Sequence, residues 1–148
     1  MAVTPKLPST AVVERRLAYQ RELLAAMREL HPVITTRLAE EPITKAALER
    51  MIQAVVDLAL DINAHLAVSV LSKSPATGRE SFDLMVEAGV LESAQADVLK
   101  PAVGLRNILV HMYADIDLSI LADSTEAFEV GFSGYVRSIA RWLLDNTP

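Results

Sequence analysis

Between Thr44 and Leu71 the chain carries apolar residues at almost every turn: Leu48, Met51, Ile52, Val55, Ala59, Ile62 and Leu66 recur at three- and four-residue spacing. That period describes one face of an α-helix. Val56, Leu58, Leu60 and Val70 widen the stripe until little of the helix surface is left polar. A helix so apolar must be covered on two sides, which points to a bundle on one side and a second subunit on the other. No stretch alternates with period two over a useful length, so the expected fold class is all-α.

The remaining segments read as shorter helices around this one. A first helix starts after Ser9 or Thr10 and runs to about Leu30, behind a loose Pro-containing tail at residues 1–8. Pro32 breaks it, because proline disfavours helix in the residue before it. A short helical piece over 33–41 closes before Pro42. Thr77 and Glu80 have the spacing of a capping box and start a helix that Gly89 ends. A further helix spans about Glu92 to Tyr113, with Pro101 expected to kink or split it. Asp123 and Glu126 repeat the capping-box spacing and are read as the start of a last helix ending near Asp145. The expectation is an up-down bundle of about five helices in a single domain, residues 1–148.

Composition supports this reading and narrows the function classes. Hydrophobic residues make up 51% of the chain but aromatic ones only 5%, as in a helix bundle rich in Leu, Val, Ile and Ala. The formal net charge of −5 argues against broad, non-specific nucleic-acid binding. It leaves room for a small basic cleft, because the local field matters more than the total. The absence of cysteine removes disulfides, thiolate catalysis and thiolate metal sites. The three histidines are far apart and make no zinc set, so neither metal nor cofactor is expected. No run of about 20 apolar residues stands out as a membrane span, and MAVTPKLPST lacks an apolar signal core; the expected address is cytoplasmic.

One segment carries chemistry. In Gly104-Leu105-Arg106-Asn107-Ile108-Leu109-Val110-His111-Met112-Tyr113 polar residues interrupt an apolar helix in a pattern that packing does not require. Asn107 and His111 are four apart on one face, and Arg106 and Tyr113 share the neighbouring one. That set suits RNA backbone cleavage. The RNA supplies its own nucleophile, the 2′-hydroxyl. An imidazole with an ordinary pKa of about 6.5 can move the protons. A fixed guanidinium can hold the phosphate and its developing charge. Asn107 could orient either group. An Arg-x4-His pair alone also arises by chance, and a histidine at a helix C-terminus is favoured by the helix dipole without any catalytic role. On the long helix Asp57, Asp61 and His65 form a second polar ladder. Asp61 either approaches the cleft and orients Arg106 or His111, or simply pairs with His65 on a solvated edge. Tyr135 and Trp142, seven apart near the C-terminus, are read as core or interface packing.

The segment Leu105 to Asp117 resembles the signature of HepT toxins, whose Arg-x4-His-x-Tyr motif falls here on Arg106, His111 and Tyr113. The likeness extends upstream, to Ile52–His65, to Gly78–Phe82 and to Glu87–Leu91. It covers about residues 45–118 in order and spacing. Two positions depart: Pro101 replaces an ordinary helix former, and Glu92 replaces a capping serine. The resemblance implies a helical HEPN homodimer, joined through the catalytic-helix face so that the two motifs share one cleft. It implies a metal-independent endoribonuclease, the toxin of a toxin–antitoxin pair. The implied partner is an MntA-like nucleotidyltransferase that silences the toxin by transferring AMP to Tyr113. The competing reading is a non-catalytic HEPN subunit that only docks such a partner. A repressor of its own operon fits less well, since no basic recognition helix is evident.

Overall fold

The computed structural model describes residues 10–30, 34–111 and 117–147. The expected tail at 1–8, His31 and Tyr113 therefore lie outside the described residues. Seven helical segments occur there and no strand: α1 (Thr10–Leu30), α2 (Ile34–Glu40), α3 (Pro42–Leu71), α4 (Gly78–Glu87), α5 (Ser93–Leu99), α6 (Pro101–His111) and α7 (Leu118–Asn146).

The long apolar segment is α3, and it forms the axis of the bundle. Its first residue is Pro42, which tolerates the first helical position because the missing N–H has no intrahelical partner there. Leu48, Ile52, Val55, Val56, Ala59, Ile62 and Leu66 are all fully buried. The covers come from the same chain: α1 and α2 pack against α3, as do α4 and α6. Leu58 and Leu60 stay only half-buried and Val68 and Val70 are exposed, the side of the helix that the sequence reading gave to a second subunit. By length and composition α3 is apolar enough to cross a membrane, which the sequence reading passed over. In the fold it is a core helix, with the face from Leu48 to Leu66 buried against its neighbours.

The helix boundaries follow local chemistry. Thr77 caps α4 by accepting from the Glu80 amide at 3.1 Å, and the Glu80 carboxylate accepts from the Ala76 amide at 2.9 Å. The chain leaves α4 through Gly89 at φ +77°, a left-handed conformation that glycine adopts without a Cβ penalty. Pro101 splits the expected fourth helix in two, ending α5 at Leu99 and opening α6. Glu92 stands at the N-cap of α5 and makes no side-chain capping bond, as the missing serine would suggest. The last helix starts earlier than its internal Asp123–Glu126 pattern suggested. Asp117 is the true cap: its carboxylate accepts from the Ser119 amide at 2.9 Å and the Ser119 hydroxyl at 2.7 Å. Those bonds hold the Asp117 carboxyl below its ordinary pKa.

A buried polar relay ties three helices together. The Tyr135 hydroxyl of α7 donates to Asn63 Oδ1 of α3 at 2.7 Å. Asn63 Nδ2 donates to Ser81 Oγ of α4 at 3.1 Å, and Ser81 donates to the Gly78 carbonyl at 2.6 Å. Tyr135 is fully buried against Phe82 and Phe132, in edge-on contact with both. Burial pushes its phenol pKa well above the ordinary value.

Candidate functional site

The site is built on α6. Val103 and Leu109 are its buried residues, and Gln53 of α3 donates to the Leu109 carbonyl at 3.5 Å. These contacts fix the rotation of a short helix that would be unstable alone. Arg106 then faces α3. Its Nε donates to Asp57 Oδ1 at 2.8 Å, and its Nη1 donates to Asn107 Oδ1 at 3.1 Å. The guanidinium is held by an acid on one side and an amide on the other, with 29% of its side chain still exposed. In so exposed a pair the attraction is screened, and its main effect is to fix orientation rather than to stabilise.

The acid that reaches Arg106 is Asp57, not Asp61. Asp61 is mostly exposed and lies 4.0 Å from Arg16 of α1. Four residues advance a helix by about 6 Å, and α6 crosses α3 beside Gln53 and Asp57, a turn short of Asp61. His65 is not paired with Asp61 either; its Nε2 is buried and has no hydrogen-bond partner among the described residues.

His111 is the last residue of α6 and is exposed. It makes no hydrogen bond to Arg106. At 3.6 residues per turn, five positions rotate a side chain by about 140°. Arg106 looks back toward α3 while His111 stands on the open side with Asn107. The structure thus brings together Asp57, Arg106 and Asn107, and sets His111 apart on the same helix end. Asp57 is the residue at Arg106 that the sequence reading undervalued. The available signal was its place one turn before Asp61 in the same polar ladder.

The open side of α6 borders a groove of about 490 Å³ between α6 and α7. Ile108 and Ile120 line it and Val98 stands at its edge; all three are unusually exposed, at 44%, 56% and 65%. At the far end of α7, Trp142 is half-buried and Tyr135 lies in the core, as expected of packing residues.

The Ribonuclease HepT-like family profile matches residues 21–130, which include all of α3 to α6. An mRNA nuclease HepT from Shewanella oneidensis is 35% identical over 74 residues, 50% of this chain and 53% of that protein. A tRNA nuclease HepT from Aphanizomenon flos-aquae is 32% identical over 96 residues, 65% of each chain. The chain thus spans from about half to just under two thirds of the length of these relatives. Among solved structures, the tri-AMPylated Shewanella oneidensis HEPN toxin bound to its MNT antitoxin superimposes with a TM-score of 0.79 at 20% identity. That match covers 88% of this chain and 97% of the toxin. The fold is the HEPN toxin fold, and the profile match over α3 to α6 carries the assignment: this chain belongs to the Ribonuclease HepT-like family.

Proposed function

We propose that this chain is the toxin of a toxin–antitoxin pair, a cytoplasmic, metal-independent endoribonuclease with Arg106 and His111 as its catalytic residues. The observation that carries the reading is the preset guanidinium of Arg106, clamped by Asp57 and Asn107 one turn before an exposed His111. The relatives named as nucleases support it.

In this mechanism Arg106 holds the non-bridging oxygens of the scissile phosphate as their charge grows. His111 takes the proton of the 2′-hydroxyl, whose oxygen bonds to phosphorus. The bond to the 5′-oxygen breaks, and that oxygen receives a proton from the partner's His111 or from water. The first product is a 2′,3′-cyclic phosphate. Cleavage is expected to survive EDTA, and an RNA with a single 2′-deoxy sugar at the cut position should be inert. Metal-dependent cleavage, or cutting of the deoxy substrate, would rule the mechanism out.

Arg106 and His111 point about 140° apart on one helix, so a two-fold dimer that faces two α6 helices would unite them across a shared cleft. The exposed Ile108, Ile120 and Val98 supply an apolar margin for such a contact.

Regulation follows from Tyr113, two positions after His111. Its partner in this proposal is an MntA-like nucleotidyltransferase that moves AMP from ATP to the phenol oxygen and releases pyrophosphate. The relative solved as a tri-AMPylated toxin with its antitoxin supports that choice. The tethered phosphate would compete with RNA for Arg106 at high effective concentration. Tyr113→Phe is expected to stay toxic and to escape the antitoxin. Mass spectrometry of the co-expressed pair should map AMP to Tyr113; neutralisation with an unmodified Tyr113 would favour simple occlusion instead.

A further inference from the structure

We propose that Arg79 is a substrate-binding residue, which holds an RNA phosphate beside the one being cut and so sets how the strand lies along α6. The inference deepens the ribonuclease reading above and rests on it.

Arg79 is the second residue of α4 and is exposed. Its position is nevertheless built. Gly78 lets the start of α4 press against its neighbours: a Cβ there would meet Val103 of α6 at 3.1 Å and Leu60 of α3 at 3.3 Å. The capping bonds at Thr77 and Glu80 and the relay through Ser81 fix the same turn. From that base the guanidinium of Arg79 reaches across to α6 and lies over Gly104, where a Cβ would stand 3.3 Å from its Nη2. Glycine weakens a helix interior, and here its bare surface is what lets the guanidinium come down onto α6.

Among the described residues the charge of Arg79 has no acidic partner. Its two nearest acids in sequence are already engaged: Glu80 binds the Ala76 amide, and Asp83, the natural partner one turn on, pairs with Lys100. That pairing holds the Lys100 pKa above its ordinary value. Arg106, by contrast, is already matched by Asp57.

The place of this cation is what gives it a role. At 100° per residue, Gly104, Asn107 and His111 fall within about 60° of one another on α6. Gly104 lies about 10 Å along the axis from His111, at 1.5 Å per residue. The Arg79 guanidinium therefore sits on the ridge that ends in the imidazole, a nucleotide step or so from the reacting phosphate. On a chain of net charge −5, RNA needs such local cations to approach at all.

The test uses full-length protein and a short fluorescent single-stranded oligouridylate. In a His111→Ala background, which binds without cutting, Arg79→Ala should weaken RNA binding about tenfold. It should also flatten the slope of log affinity against log salt by about 0.7, the release of one phosphate contact on single-stranded RNA. Arg79→Lys should keep the slope and lose part of the affinity. With His111 intact, Arg79→Ala should raise KM and leave kcat within about twofold. Gly104→Ala, which crowds the guanidinium without removing it, should raise KM less. An unchanged salt slope in Arg79→Ala would overturn the proposal and leave the ribonuclease reading standing. Failure of the His111→Ala protein to bind RNA at all would remove both. Normal RNA binding by Arg79→Ala with loss of a nucleotidyltransferase complex or of the dimer would make Arg79 a protein contact, and would also overturn it.

Discussion

Arg106→Ala and His111→Ala are each expected to lower RNA cleavage by at least about 100-fold and to abolish growth arrest when the chain is expressed alone. Arg106→Lys should fall nearly as far, because an ammonium cannot span Asp57, Asn107 and a phosphate with one planar fork. The stronger test mixes the two dead variants. Within one chain the side chains point about 140° apart, so the working pair would come from opposite subunits. A mixed dimer then keeps one intact pair, with Arg106 from one subunit and His111 from the other. Random exchange makes half the dimers mixed, each with one of two sites, so activity should return to about a quarter of wild type. Two variants that each lose activity but never complement would place the pair within one chain. Two variants as toxic as wild type would remove the site assignment altogether.

The largest effect on stability is expected at a residue with no part in the chemistry. Asn63 joins Tyr135 of α7 to Ser81 of α4 from the middle of the core, and all three residues are buried. Asn63→Ala removes two buried hydrogen bonds and opens a small cavity; the phenol keeps only the Ala59 carbonyl at 3.2 Å and Ser81 only the Gly78 carbonyl at 2.6 Å. The cost should be about 3 kcal/mol, from two lost buried hydrogen bonds at about 1 kcal/mol each and the cavity left by the amide. Urea denaturation of the variant should show a lower midpoint at an unchanged slope. Tyr135→Phe removes one hydroxyl without a cavity and should cost about 1 kcal/mol. If Asn63→Ala lies within about 0.5 kcal/mol of wild type, the relay does not hold the three helices together.

The two effects separate what was readable in the residues from what was not. The period of Leu48, Ile52, Val55, Ala59, Ile62 and Leu66 was enough to define α3, and Thr77 with Glu80 was enough to start α4, because helix periodicity and capping are local. Pro101 was rightly read as a break for the same reason: its missing N–H and fixed φ act on its own neighbours. The motif residues were picked out by residue type and spacing, and their roles came from the resemblance to HepT toxins. Asp123 and Glu126 misled because a capping spacing inside a helix looks the same as one at its start. Only the Asp117 carboxylate, bonded to Ser119, shows where α7 begins.

What the sequence by itself determined was the helical class, most element boundaries and the Arg106–His111 motif. The tertiary structure alone decided which acid serves Arg106, how α3 is covered and where Arg79 lies. Asp57 and Asp61 are equivalent along the chain, one turn apart on the same face. The angle at which α6 crosses α3 gives the first to Arg106 and leaves the second to Arg16. Arg79 and Gly104 are 25 positions apart in sequence and meet because Gly78 allows α4 to seat closely on α6. Periodicity reports which face a helix buries, but not which neighbour it is buried against, and these contacts depend on that neighbour.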